Sequence, residues 1–252
     1  METILFLAHT EADGSLGKAA LETLSAARAL AGALTGSNLV VGLAGEQTQP
    51  AANQIAACGA AKFLAVAGAA FAQPRYASDA AAAEALCRAA HATLVLAPAT
   101  QRWNRVLPGV ACRLQGRADT HVTAVTVNGG QPAISRWYYR QRIEAALQRA
   151  HRPWFLLLDP GTQPAWQGAP GTAAVETLPL QLPETCQRTT VTGIQAPPAD
   201  SQTIRPDAAM LLVAGAGWTK KQADGQTHPK EAEALILDFL RLTRASLGSS
   251  KS

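Results

Sequence analysis

Short apolar runs recur along the chain, separated by longer stretches with helical spacing. Thr3–His9 (TILFLAH), Asn38–Leu43 (NLVVGL), Lys62–Val66 and Leu94–Ala97 each read as a short buried strand. Leu16–Leu34, Gln47–Ala57 and Ala77–Ala90 read as alanine-rich helices, with Leu21, Leu24 and Leu30 near one face of the first. Ser15 is a possible N-cap for that first helix, and Gly59 a C-terminal stop for the second. Strands alternating with helices in this way predict an α/β fold. The sheet should be open, mostly parallel and Rossmann-like, with flanking helices.

The same alternation continues through Thr93–Val127. TLVLAPAT is an apolar run ending in small residues, NRVLPGVACRLQGR spaces Val106, Val110 and Leu114 along one helix face, and THVTAVTV is rich in β-branched residues. Together they predict a βαβ unit with a parallel, right-handed crossover. Asn128-Gly129-Gly130 is a turn signal, Ala133–Tyr139 a further strand, and Pro153–Leu158 a strong one. SRWYYRQRIEAAL mixes arginines with aromatics. It reads as an amphipathic strand near a sheet edge, aromatics inward and arginines solvated, rather than as a nucleic-acid platform.

Beyond a Pro- and Gly-rich stretch, Asp159–Gly171, and the segment Ala173–Leu180, composition turns to Pro, Ser, Thr and Gln. Residues 181–206 read as a linker between a first domain at 1–180 and a second segment at 207–252. That segment opens with the strand Ala208–Ala214, followed by Gly215-Ala216-Gly217, a polar loop, and an amphipathic helix at Lys230–Leu242. A Gly-Ala-Gly turn after a strand lets backbone approach a pyrophosphate, and it also serves a plain tight turn. One strand and one helix make only an incomplete second α/β domain.

Composition narrows the function classes. The chain is 48% hydrophobic and 16% charged, as a folded globular protein is, and its net charge of +4 is mildly basic. No clustered patch argues for nucleic acid, and no run is long enough for membrane insertion. Cys58, Cys87, Cys112 and Cys186 are dispersed, so no metal site is expected, and the three in helix-like segments read as buried structural thiols. His9, His91, His121, His151 and His228 are isolated, GxSxG and HExxH are absent, and Asp13 reads as a turn carboxylate. LAGEQ (Leu43–Gln47) lacks GxGxxG and P-loop patterns and reads as an ordinary strand–helix connection. No catalytic residue is expected. The amino terminus starts directly on a strand with no basic leader, which favours a cytoplasmic location.

Several of these stretches resemble one family. Ala97–Thr100, Leu107–Leu114 (Leu-Pro-x-Val-Ala-x-x-Leu) and Val122–Val125 resemble the amino-terminal domain of electron transfer flavoprotein alpha subunits. Leu21-Glu22-Thr23-Leu24 and Gly59-Ala60-Ala61-Lys62 resemble its earlier elements in order and spacing, and Arg136–Arg142 resembles an Arg-Pro-x-Tyr-x-Gly-Asn stretch without its Gly-Asn. The glycine turn stands where the family's flavin domain opens, with Ala216 in place of the flavin-contacting arginine. Leu247-Gly248-Ser249-Ser250-Lys251 resembles the family's Leu-Gly-Ala-Ser-Arg, with Thr243-Arg244 a second register.

The resemblance implies FAD as cofactor, with Gly215, Gly217, Ser250 and Lys251 as its contacts here. It implies a heterodimer with a beta subunit that carries electrons from flavin dehydrogenases towards a quinone-linked acceptor. The family's later Gln-Thr-Gly-Lys and Gly-x-Ser-Gly stretches do not occur in these 252 residues, so the chain is read either as a fragment or as a shortened member. Two other readings stay open: a non-redox interaction or scaffold protein that keeps the fold without the flavin site, and a nucleotide-binding α/β module.

Overall fold

The computed structural model describes residues 1–193, 195 and 208–249. The chain divides into two compact units, Met1–Thr192 and Gly193–Ser252. The first is built on β1 (Thr3–His9), α1 (Lys18–Ala33), β2 (Asn38–Gly45), α2 (Gln49–Gln54), β3 (Lys62–Ala67), α3 (Tyr76–Ala89), β4 (Leu94–Pro98) and α4 (Gln101–Arg113). It continues with β5 (Arg117–Asn128), β6 (Gln131–Tyr138), β7 (Ile143–Gln148), β8 (Trp154–Leu158) and β9 (Val175–Thr177). The nine strands form one sheet in the order β7-β6-β5-β8-β4-β1-β2-β3-β9. All neighbours are parallel except the β5–β6 and β6–β7 pairs. The predicted mostly parallel, Rossmann-like α/β sheet is therefore the fold.

Alternation along each central strand sends side chains to two cores. Ile4, Phe6, Leu94, Leu96, Trp154 and Leu156 lie on one face, packed with Leu24, Ala27 and Leu30 of α1. On the other, Leu5, Leu7, Val95, Phe155 and Leu157 meet Ala83 and Leu86 of α3 and Trp103, Val106 and Val110 of α4. Burial on both faces is why these strands read as unbroken apolar runs.

Four details depart from the sequence reading. First, β4 and β5, joined through α4, do run parallel, but β8 enters between the two strands, pairing with β4 through Leu94↔Trp154 and with β5 through Arg117↔Trp154. Second, α1 is capped at Gly17, not Ser15, because the Ser15 hydroxyl donates to Asp13 Oδ1 at 2.6 Å. Third, Cys112 is exposed, while Cys58 and Cys87 are buried; burial pushes the Cys58 and Cys87 thiols above their usual range, which makes them inert. Fourth, residues 181–192, read as linker, fall within the first unit: Leu182 packs on the core beside α3, and Arg75 Nη1 donates to the Thr189 carbonyl at 3.1 Å.

The second unit pairs β10 (Leu211–Ala214) with β11 (Ser246–Ser249) in parallel, Ala214 opposite Ser249, joined through α5 (Pro229–Thr243). None of the described side chains of α5 is buried, and Leu235, Leu237 and Leu242 are exposed. No helix among the described residues is long and apolar enough to cross a membrane.

One buried ion pair joins α3 to α4. Arg102 Nη2 and Nε donate to the two oxygens of Asp79 at 2.6 and 2.9 Å, and Nη2 also donates to the Phe71 carbonyl at 2.7 Å. Asp79 is fully buried, so removing its charge strands a guanidinium in the core. Asp79→Asn should cost about 3 kcal/mol of stability, read as a lower urea midpoint at unchanged m-value. An Asp79→Leu/Arg102→Met double variant should recover part of that loss.

Candidate functional site

In open parallel sheets ligands gather at the carboxyl ends of the strands, where the strand order reverses. In the first unit that point lies between β1 and β4. His9 ends β1, and its Nε2 lies 3.3 Å from the Thr100 hydroxyl. That hydroxyl accepts from the Trp103 backbone N–H at 3.3 Å and so caps α4. Its own proton is then free to be donated to a neutral imidazole, with the ring proton on Nδ1. The rings of His9 and Trp103 are 5.8 Å apart.

The neighbouring loops are spent on structure. A Cβ at Gly45 would lie 1.9 Å from Thr10 Oγ1, so the glycine of LAGEQ makes room for a buried threonine rather than for a phosphate. Asp13 accepts from the Ser15 N–H and hydroxyl, and these bonds hold its carboxyl below the usual range. Among the described residues no group of three or more His, Cys, Asp or Glu could hold a metal ion.

The glycine turn of the second unit is the more open place. Gly215 follows β10 and caps a short 3-10 turn, Ala216–Thr219, with φ −100° and ψ 175°. Two cavities of about 520 and 590 Å³ flank it, and both are lined by Gly215, Trp218 and Ala232. The smaller also touches Gly217 and His228, and the larger touches Leu247 and Ser249 of β11. Two of the four expected contacts, Gly215 and Gly217, thus stand at one cavity at the carboxyl ends of two parallel strands. Ser250 and Lys251 lie outside the described residues.

The lining suits a planar, largely apolar group better than a phosphate. Trp218, Leu235, Ile236 and Leu237 supply apolar surface, while the carboxylates Glu231 and Glu233 face the same cavities. No Lys or Arg lines either one among the described residues. His228 is already engaged by Asp224 and Glu231. The described lining is thus apolar and acidic, and it lacks the cation that would hold a pyrophosphate.

Sequence reasoning missed the second cavity wall, because β11 looks like a loop: Ser246–Ser249 gains its strand character from pairing with β10, not from its own apolar content.

Two expectations follow. A Cβ at Gly217 would meet nothing within 4 Å, and no left-handed φ constrains the residue. Gly217→Ala should therefore leave the melting temperature within the range of a surface change, about 0.5 kcal/mol. His9 behaves differently. Burial, then the Arg102 cation, lowers its pKa from the ordinary 6.5, so the unfolded chain binds a proton that the folded one refuses below about that pH. Stability contributed by neutral His9 is complete above pH 6.5 and falls as pH drops through that window. The melting temperature should decline between pH 7.5 and 5.5, and by less in His9→Asn, by differential scanning calorimetry.

No curated protein matches the chain closely enough to count as a relative. Residues 4–183, which span the nine-stranded unit from β1 to just beyond β9, match the electron transfer flavoprotein domain. Members of that family are electron carriers rather than enzymes. On this match, across most of its length, the chain belongs to the electron transfer flavoprotein domain family.

Proposed function

We propose that the chain acts as an alpha-subunit-like component of an electron transfer flavoprotein, paired with a beta subunit and passing electrons from flavin dehydrogenases towards a quinone-linked acceptor. The observation that carries this reading is the family match over residues 4–183. On this reading residues 1–180 form the alpha-type amino-terminal domain, with 181–192 packed along it, and 207–252 are the start of the FAD-binding domain. A cytoplasmic location accompanies this reading.

FAD, when bound, would supply the redox chemistry, and the protein's part would be to hold and shield it. Gly215 and Gly217 would leave room beside it, and Trp218 with the apolar residues of α5 would exclude water. Ser250 and Lys251, beyond β11, are the candidates for its polar contacts. Lys251 is the candidate within these residues for phosphate-binding charge.

A second reading has its own support. Ala216 replaces the arginine that the family resemblance leads one to expect, and Glu231 and Glu233 repel a pyrophosphate. A colourless scaffold that keeps the alpha-type domain for binding a beta subunit would have this lining.

Co-expression with a beta subunit separates the two. The first reading expects a yellow complex with one FAD per heterodimer, bleached by dithionite, and lower FAD retention in Gly217→Ala at unchanged melting temperature. A stable heterodimer that stays colourless after incubation with FAD refutes electron transfer and leaves the scaffold.

A further inference from the structure

Away from both places described above, the β6–β7 end of the first unit holds an unusual concentration of left-handed backbone. Seven non-glycine residues have positive φ among those described, and four of them line one cavity: His121 (57°), Tyr139 (48°), Arg140 (56°) and Gln141 (64°). In this region Cβ crowds the carbonyl, so residues other than Gly, Asn and Asp visit it rarely and singly. Tyr139–Gln141 places three in succession, a left-handed turn closed by the Arg142 N–H donating to the Tyr138 carbonyl at 3.1 Å. His121 sits where β5 slips register against β8, between Asp119 and Val122, and β5 slips against β6 just beyond it, between Val122 and Ala124. Bulges of this kind re-aim a side chain, and strain of this kind persists where surrounding structure enforces it.

What the turn and the bulge enclose is a cavity of about 520 Å³, within the usual range for small-ligand sites. Trp137, Tyr138 and Tyr139 supply aromatic walls, with Arg136, Arg140 and His121 between them. Arg136 lies 4.2 Å over the Tyr138 ring with its Nη1 on Asp119. Tyr139 is 75% exposed, an aromatic ring held in water by a disfavoured backbone.

Charge at this end is unbalanced. Between Arg117 and Asp159 there are six arginines and three carboxylates. Asp119 is consumed by Arg136, Arg149 and the Trp154 indole, and Asp159 lies 3.3 Å from His121. Arg140 and Arg142 make no side-chain hydrogen bond or ion pair among the described residues. Arg140 thus faces the cavity with its charge uncompensated.

We propose that this cavity binds a small planar organic anion, its phosphate or carboxylate on Arg140 and its ring against Tyr138 and Tyr139. Guanidinium and aromatic faces at one mouth match such a ligand: the oxyanion takes charge-assisted hydrogen bonds and the ring stacks. The site is separate from the glycine turn and does not rest on flavin binding.

The test is calorimetric titration of the full chain at low salt with phenyl phosphate, benzoate, inorganic phosphate and phenol. One saturable site for phenyl phosphate or benzoate is expected, and whichever binds tighter identifies the head group. Inorganic phosphate and phenol should each bind at least about tenfold more weakly, since each lacks half of the match. Arg140→Gln and Tyr139→Ala alter exposed side chains and should weaken binding by about tenfold or more with unchanged circular dichroism. Arg105→Gln, the same charge change on an exposed position of α4, should leave affinity unchanged. No saturation below about 10 mM, equal binding of phenol, or equal loss in Arg105→Gln would overturn the proposal.

Discussion

Burial of β1, β4 and β8 on both faces is the constraint from which the rest of the first unit follows. Ile4–Ala8, Leu94–Ala97 and Trp154–Leu157 are all fully buried, so no polar side chain can be placed along them and helices must cover both sides. The covering helices are alanine-rich because they lie close: a Cβ at Gly42 would lie only 3.0 Å from Leu5 Cδ1 and 3.6 Å from the Leu86 Cβ of α3. A Cβ there would already touch Leu86, and a side chain beyond alanine would press on Leu5 and on α3. The Arg102–Asp79 pair lies at a neighbouring contact, between α3 and α4. Two helices packed this tightly leave no water to solvate a charge, so the two groups solvate each other.

The elements along this core were legible because period and burial coincide there. The Thr3–His9 run is a strand with the bounds its pattern predicts, and β2, β3, β4 and α3 differ from expectation by at most two residues at an end. Partner choice was not legible. β8 lies between β4 and β5 although it comes more than twenty residues after β5 ends, and nothing in PWFLLLD names its neighbours. What selects them is lateral: Trp154 Nε1 donates to Asp119 Oδ2 at 2.7 Å across the β5–β8 pair. That bond joins residues 35 apart, a distance over which a sequence pattern carries no register.

The basic–aromatic hairpin shows the same limit from the other side. Alternation suggested aromatics inward and arginines out, yet Arg136 points in and Tyr139 out. Asp119 is the cause. Its pKa is opposed upward by burial and brought below the usual range by Arg149, Trp154 and Arg136, so it stays ionised inside the sheet and draws two guanidinium groups towards itself. Once Arg136 is committed inward, β6 presents its next aromatic residues to the end of the sheet, and the turn must run left-handed to bring Arg142 back into pairing range. A single carboxylate on a neighbouring strand thus reverses the polarity that the hairpin's own sequence suggests.

The glycine turn was legible as a pattern and not as a need. Gly45 and Gly116 have steric reasons inside the fold: a Cβ at Gly116 would meet the Pro153 carbonyl at 2.3 Å. Gly217 has no such reason, since open space surrounds it. A glycine carries an entropic cost that a fold offsets only where close approach or left-handed φ requires it. At Gly217 the described residues meet neither condition, as at Gly32, and the cavity beside it has an aromatic, apolar and acidic lining. The described lining of this turn carries no cation, so an electron carrier built on it needs phosphate-binding charge from outside that lining. Were that charge on a partner subunit, flavin capture would depend on assembly, because the pyrophosphate would be neutralised only in the complex.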